Sequence, residues 1–225
     1  MRIAFGIGRL AAAGAGIAAI VGQLLTSLGY WSSHNVQNIP LAITNFFSFF
    51  TILSNVGAVV VFLFGAFLLF TRSGSDPRWF TLFRASVATY MIVTGIVYNL
   101  LLRGIELPQG STLEWSNEIL HVVVPILALL DWLFTPGRQP IEWNQLWRML
   151  VFPIVWAVYT MIRGPFTPNE LTGASYWYPY PFLNPYISHN GYFSVAFYIV
   201  LIAAVIGLVA AGVIWLSRRG WFTQR

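Results

Sequence analysis

The chain has 225 residues, of which 57% are hydrophobic and only 8% are charged, and its formal net charge is +5 at pH 7. Soluble domains carry about 25% charged residues, so this composition excludes an ordinary water-facing surface and indicates a membrane protein. Cysteine is absent, which excludes disulfides, thiolate metal ligands and a cysteine nucleophile.

Six apolar stretches are long enough to cross a bilayer as helices, because a span needs about 20 mostly apolar residues. In chain order they cover approximately residues 7–30, 41–70, 79–102, 115–134, 146–163 and 192–216. Pro125 and Pro153 fall inside the fourth and fifth stretches, where they are expected to kink the helix. The sequence therefore predicts an all-α, six-transmembrane-helix bundle that forms a single domain over residues 1–225.

The arginines predict the orientation of this bundle, because positively charged residues accumulate on the cytoplasmic side of a membrane. All twelve basic residues are arginine, and only Arg103 and Arg163 fall on the side opposite the termini. The ten on the side of the termini are Arg2, Arg9, Arg72, Arg78, Arg84, Arg138, Arg148, Arg218, Arg219 and Arg225. Both termini are therefore predicted to be cytoplasmic.

Polar residues are concentrated in the second stretch, where Thr44, Ser48, Thr51 and Asn55 are spaced by four, three and four positions. On one continuous helix this spacing places all four on the same face. Two interpretations remain open at this point. The residues bond to neighbouring helices and to their own backbone, or they line a functional site, since polar groups inside a bilayer are expensive.

The fourth stretch carries Glu118 and His121, which lie three positions apart and so share a helix face. His121 is the only histidine inside a predicted span, and an imidazole there could be a general base, a metal or haem ligand, or a structural residue. A di-iron site is disfavoured, because such bundles use two Glu-x-x-His copies and two further glutamates, whereas this chain has one copy.

The outer side of the bundle contains the longest connection, residues 164–191, which reads Ser-Tyr-Trp-Tyr-Pro-Tyr-Pro-Phe-Leu-Asn-Pro-Tyr over residues 175–186. A segment this aromatic is expected to pack over the outer end of the bundle or in the headgroup belt. The two outer arginines either snorkel to headgroup phosphates or bind an anionic group. The candidate substrate-binding residues on this side are Arg163, Arg103, Asn99, Tyr159 and Tyr178.

Three segments resemble the androgen-induced membrane protein family, which includes the androgen-dependent regulator of tissue factor pathway inhibitor and bacterial six-helix relatives. They are Asn45-Phe-Phe-Ser-Phe-Phe-Thr51-Ile-Leu-Ser-Asn55, Leu120-His121-Val-Val-Val-Pro125 and Trp177-Tyr-Pro-Tyr-Pro-Phe-Leu183. The chain is most similar to the bacterial branch, which implies a multi-pass protein of the bacterial cytoplasmic membrane.

The animal members of that family are membrane threonine hydrolases that cleave fatty acid esters of hydroxy fatty acids. The resemblance therefore implies a lipid ester hydrolase with Thr51 as nucleophile and His121 as base. Asn55, Asn45 and Ser48 are candidates to donate to an oxyanion, and Glu118 is a candidate to orient the histidine.

A continuous second helix would place Thr51 about 15 Å along its axis from Leu41, whereas His121 lies only about 6 Å past Asn117. We expect the second helix to tilt or protrude from the bilayer, which would bring Thr51 and His121 to similar depths. The alternative function is a non-enzymatic transporter or lipid-binding protein with the same polar interior. The concentration of polar residues in the outer half favours a one-sided lipid pocket over a transport path.

The expected partners are a lipid substrate from the outer leaflet and the surrounding membrane lipids. We expect no cofactor, no metal and no nucleic-acid partner. The oligomeric state is left open by the sequence.

Overall fold

The computed structural model describes residues 1–105 and 110–219. Within these residues six helices are long and apolar enough to cross a membrane. They are Arg2–Ser33, Phe50–Thr71, Arg78–Leu102, Glu114–Phe134, Trp143–Phe166 and Tyr192–Ser217, numbered below as the first to sixth spans. The chain is thus an integral multi-pass membrane protein with an all-α six-helix bundle, as the sequence predicted. Arg225, counted above among the inner arginines, lies outside the described residues.

The spans are built from α-helices, two wider turns of π-helix, and two 3₁₀ turns, Trp143–Gln145 and Gly164–Phe166, at the ends of the fifth span. The π-helical turns are Tyr98–Leu102, which ends the third span, and Ile119–Val123, which joins the two α-helices of the fourth span. The α-helices are α1 (Arg2–Ser33), α2 (Ile39–Phe47), α3 (Phe50–Thr71), α4 (Arg78–Val97), α5 (Glu114–Glu118), α6 (Val124–Phe134), α7 (Leu146–Arg163) and α8 (Tyr192–Ser217).

The second apolar stretch is not the single helix that the sequence predicted over residues 41–70. The chain leaves helical geometry at Phe49, whose φ and ψ are −67° and 130°, so α2 and α3 are separate helices. At the end of α2 the Ser48 hydroxyl donates to the carbonyl oxygen of Thr44 at 2.7 Å. The Ser48 N–H, which would bond that carbonyl in a continuing α-helix, donates to the carbonyl oxygen of Asn45. The break places Thr51 in the first turn of the second span, which removes the predicted difference in depth.

The outer end of the bundle is closed by residues 175–186, which we call the roof. Trp177, Tyr178, Tyr180 and Leu183 are buried in a cluster with side chains from the first, second, third, fourth and sixth spans. The ring of Phe49 lies edge-on to the rings of both Trp177 and Tyr180, with centroids 5.6 Å apart in each pair. The roof therefore packs on the helix break itself, in line with the expectation from its aromatic content.

The inner half of the bundle is held by a buried ion network. Asp131 of α6 accepts from Arg9 of α1 at 2.7 Å and from Arg84 of α4 at 2.7 Å. Arg84 also pairs with Asp76 at 3.3 Å, and all four side chains are at most 8% exposed. Arg9 and Arg84, two of the ten inner arginines, are thus paired with carboxylates inside the bundle and do not lie at the ends of its helices. The remaining inner arginines still outnumber the two outer ones.

Candidate active site

Thr51 and His121 are in direct contact at the outer end of the bundle. The Thr51 Oγ1 atom lies 3.2 Å from Nε2 of His121. Each residue is only 6% exposed, so this hydrogen bond is shielded from bulk water. A hydroxyl paired with an imidazole at this distance has the geometry of a nucleophile and its base.

The second ring nitrogen of His121 defines the direction of that hydrogen bond. Nδ1 lies 2.9 Å from the carbonyl oxygen of Asn117, and a carbonyl oxygen can only accept. In the neutral imidazole the proton is therefore assigned to Nδ1, which leaves Nε2 as the acceptor. The Thr51 hydroxyl then donates to Nε2, which is the arrangement in which the histidine can take the threonine proton.

Glu118 does not orient His121, contrary to the prediction from their spacing. Its carboxylate receives two hydrogen bonds from Arg103, at 2.9 and 3.2 Å, in a pair that is 47% exposed on each side. The imidazole is held instead by the Asn117 carbonyl and by the ring of Tyr98, which stacks on it at 4.0 Å.

Pro125 explains the local backbone geometry around His121. The Val124 N–H donates to Ile119, five residues back, and proline has no N–H with which to serve the next carbonyl. The carbonyl oxygen of Leu120 is left without its usual helical donor. The side-chain amide of Asn55 donates to that oxygen at 3.1 Å and to the Thr51 carbonyl at 2.9 Å.

Two of the three predicted oxyanion donors are committed to other bonds, and the third is directed elsewhere. The Asn55 amide nitrogen serves the Leu120 and Thr51 carbonyls, and the Ser48 hydroxyl donates to Thr44 while contacting the Tyr159 hydroxyl at 3.1 Å. Asn45 faces the fifth span, where its Oδ1 accepts from Arg163 at 2.6 Å. The prediction that these residues form one polar face on a single helix is also wrong. The break at Phe49 separates Thr44 and Ser48 from Thr51 and Asn55.

The two outer arginines have different surroundings. Arg103 is neutralised by Glu118 and bonds Asn99 at 3.0 Å. Arg163 is partly buried between the rings of Tyr159 and Trp177, at 5.9 and 5.6 Å from their centroids. Within residues 1–105 and 110–219, no carboxylate forms an ion pair with Arg163. Of the two, Arg163 is thus the cation available to an anionic ligand.

Tyr180 is the site residue that the sequence did not single out. Its hydroxyl oxygen lies 3.2 Å from Thr51 Oγ1 and 3.2 Å from the Thr51 backbone nitrogen, and its side chain is 5% exposed. The predicted Tyr178 lies two residues away in the roof, where its ring packs against Gly164. Tyrosines alternate with prolines through this segment, and nothing in the sequence distinguishes the one that reaches Thr51.

A cavity of about 420 Å³ adjoins Thr51 and lies between the second, third, fifth and sixth spans. This volume is within the range of about 300–1,000 Å³ found for small-molecule sites. Its lining is apolar except for Thr51, Thr94, Tyr98 and Tyr180, and His121 is not among the described lining residues. His121 therefore lies behind Thr51, away from the cavity.

The cavity is open sideways, between the fifth and sixth spans. Its lining residues Ile154, Val158 and Ile162 of the fifth span are 57%, 52% and 65% exposed. Ala203 on the sixth span also lines the cavity and is exposed. Exposed surface on a membrane span faces lipid, so the opening connects the cavity with the bilayer.

No protein-family model, curated protein or solved structure matches the chain. Within the described residues, no three histidine, aspartate or glutamate side chains form a group that could hold a metal ion.

Proposed function

We propose that the protein is an intramembrane lipid ester hydrolase in which Thr51 is the nucleophile and His121 is the general base. The observation that carries this proposal is the 3.2 Å contact between Oγ1 and Nε2 at the polar end of an apolar cavity that opens to lipid. The sequence resemblance to membrane threonine hydrolases supports the same two residues in the same two roles.

The reaction follows from the hydrogen-bond directions. Nε2 of His121 takes the hydroxyl proton as Thr51 Oγ1 attacks the ester carbonyl carbon, which gives a tetrahedral oxyanion. Collapse breaks the ester C–O bond, and the imidazolium returns its proton to the departing alkoxide, leaving an acylated Thr51. A water molecule then gives one proton to His121 and attacks the acyl carbon, which releases the fatty acid and restores the threonine hydroxyl.

Two further features near Thr51 and His121 would stabilise charges that form during the reaction. The Asn117 carbonyl stabilises the imidazolium that forms when His121 is protonated, much as the buried carboxylate does in serine hydrolases. Thr51 also lies in the first turn of α3, where the positive end of the helix dipole favours negative charge.

The cavity supports a substrate with a long apolar chain. Its lining would accept an acyl chain entering between the fifth and sixth spans, with the ester at Thr51. Candidate substrates are fatty acid esters of hydroxy fatty acids or related lipids. With cytoplasmic termini, as the arginines indicate, Thr51 lies toward the outer leaflet. We place the protein in a bacterial cytoplasmic membrane on the strength of the resemblance.

A transporter or lipid-binding protein is the second candidate, because the same cavity could hold a lipid without cleaving it. A transport path has to open toward both sides of the membrane. The inner half carries the buried network of Arg9, Arg84, Asp76 and Asp131, which ties three spans together. This network favours a pocket that opens on one side only.

Labelling of the purified protein with a fluorophosphonate probe tests the hydrolase proposal. We expect the wild type and Thr44→Ala to be labelled, and Thr51→Ala and His121→Ala to be unlabelled while remaining folded. Thr44 is the matched control, because its exposed hydroxyl donates to the carbonyl oxygen of Pro40 in its own helix. Undiminished labelling of Thr51→Ala would overturn the proposal and leave the lipid-binding alternative.

A further inference from the structure

The hydroxyl protons around Thr51 can be assigned one by one. The Thr51 hydroxyl has a single proton, which is directed to His121, so its Oγ1 atom must accept from the Tyr180 hydroxyl at 3.2 Å. The Tyr180 oxygen in turn accepts from the Thr51 backbone N–H at 3.2 Å. Tyr180 is thus a donor directed at the atom that the hydrolase proposal makes the nucleophile.

Two donors consequently converge on the cavity side of Thr51. Thr51 is the second residue of α3, so its N–H has no carbonyl acceptor four residues back in the same helix. The bond from the Leu53 N–H to the Phe49 carbonyl oxygen is the first of this type at the start of α3. The Tyr180 hydroxyl can rotate about its C–O bond, and both residues line the cavity. Both donors therefore lie where an ester bound in the cavity would present its carbonyl oxygen.

We propose, building on the function above, that Tyr180 is a further catalytic residue whose hydroxyl, together with the Thr51 backbone N–H, forms the oxyanion hole. When Thr51 gives up its proton and attacks, the Tyr180 hydroxyl turns from Oγ1 to the carbonyl oxygen bound to the same carbon. The Thr51 N–H, which stays 3.2 Å from the Tyr180 oxygen during this rotation, shares its proton with the oxyanion as the second donor. Use of the nucleophile's own N–H has a physical precedent in serine proteases.

The surroundings of Tyr180 suit this role. Burial raises the pKa of Tyr180 above its ordinary value, although hydrogen bonds from Thr51 and Phe50 oppose the shift. The phenol is therefore protonated and able to donate at neutral pH. In a site shielded from water, a fixed hydrogen-bond donor stabilises the negative charge of the transition state more than the same donor would in water.

The test compares Tyr180→Phe with Tyr176→Phe, using hydrolysis of a long-chain 4-nitrophenyl ester in detergent micelles. Tyr176 belongs to the same roof and stacks on Tyr186 at 4.0 Å, so its variant also loses one phenol from this segment. We expect Tyr180→Phe to lower kcat by about 10²–10³-fold, as for other oxyanion donors, with KM within about twofold and Tyr176→Phe unchanged. The thermal midpoint of each variant controls for folding.

A second measurement separates charge stabilisation from mere positioning. Incorporation of 3,5-difluorotyrosine at position 180 keeps the ring and the hydroxyl but makes the phenol more acidic. In the pH profile of kcat, the decline on the alkaline side should begin at lower pH, because an ionised phenol cannot donate a hydrogen bond.

Three outcomes would overturn the role of Tyr180: a wild-type kcat in Tyr180→Phe, a loss that only follows the loss of folded protein, or an alkaline decline of kcat that begins at unchanged pH. Each leaves the hydrolase proposal standing if Thr51→Ala is inactive. Activity in Thr51→Ala would instead end the proposed function itself.

Discussion

The side-chain amide of Asn55 donates a hydrogen bond of 3.1 Å to the carbonyl oxygen of Leu120, the residue that precedes His121. The same nitrogen bonds the carbonyl of Thr51 at 2.9 Å. One amide group therefore joins the backbone of Thr51 to the backbone next to His121, and it links the second span to the fourth.

Asn55→Ala should destabilise the protein and impair the site together. Loss of the amide leaves the buried Leu120 carbonyl unpaired, which costs about 1–3 kcal/mol, and we expect a lower thermal midpoint and a lower kcat per folded molecule. Asn99→Ala is the control, because Asn99 is exposed and bonds within its own helix and to Arg103. Equal midpoints for the two variants would show that the Asn55 bridge contributes nothing.

Thr51→Ala and His121→Ala should each lose nearly as much activity as the double variant, because a nucleophile and its base act as a unit. Thr51→Ser retains a hydroxyl and should keep part of the turnover. Hydrolysis rates of all four proteins, normalised to folded protein, check this expectation. Additive losses in the double variant would argue against a shared catalytic step.

Arg163→Gln should raise KM for lipid esters that carry a free carboxylate or phosphate by about tenfold or more, which is the value of a charge-assisted hydrogen bond. Uncharged esters should keep their KM, since only the anionic group would contact Arg163. Arg103→Gln is the comparison, because Glu118 already neutralises Arg103. An unchanged KM for anionic esters in Arg163→Gln would remove the anion-binding role.

Ala203→Trp should block the lateral opening. A bulky side chain at this exposed lining position narrows the gap between the fifth and sixth spans, so we expect slower turnover of long-chain esters and little change for a short-chain ester. Ala204→Trp is the matched control, because Ala204 is exposed on the same helix but does not line the cavity. Equal effects of both variants would point to another route of entry.

Asp131→Asn should destabilise the bundle strongly without changing the chemistry. It leaves Arg9 and Arg84 buried with too little negative charge, and removal of one partner from a buried ion pair costs about 3–5 kcal/mol. Glu142→Gln should shift the thermal midpoint little, because Glu142 is exposed. If both variants melt at the same temperature, the network does not stabilise the inner half.

Hydropathy alone predicts most of the fold, because length and apolar content decide which segments cross a bilayer. The fifth span illustrates this: α7 covers Leu146–Arg163, the interval that the sequence predicted despite its internal Pro153. The break at Phe49 could not be predicted in the same way. It falls in an aromatic run without glycine or proline, and its partners, Trp177 and Tyr180, come from a distant segment.

The candidate site was only partly accessible to sequence reasoning. The pairing of Thr51 with His121 follows from the resemblance, and the contact between them is present. The role assigned to Glu118 assumed a regular α-helix, whereas a π-helical turn spans Ile119–Val123 and His121 bonds Asn117 instead. Tyr180 is 129 positions from Thr51, and no local pattern reports a contact over that separation.

The interruption between α2 and α3 also bears on how two immiscible reactants would meet. The lipid dissolves in the bilayer and arrives from the side, whereas the water that completes each turnover has to come from the aqueous face. Phe49, at the interruption, also borders a small cleft that reaches the outer surface between α2 and the loop at Asn169 and Glu170. Thr51, the second residue of α3, follows Phe49 by two positions, so the proposed nucleophile lies between this outer cleft and the cavity that opens to lipid.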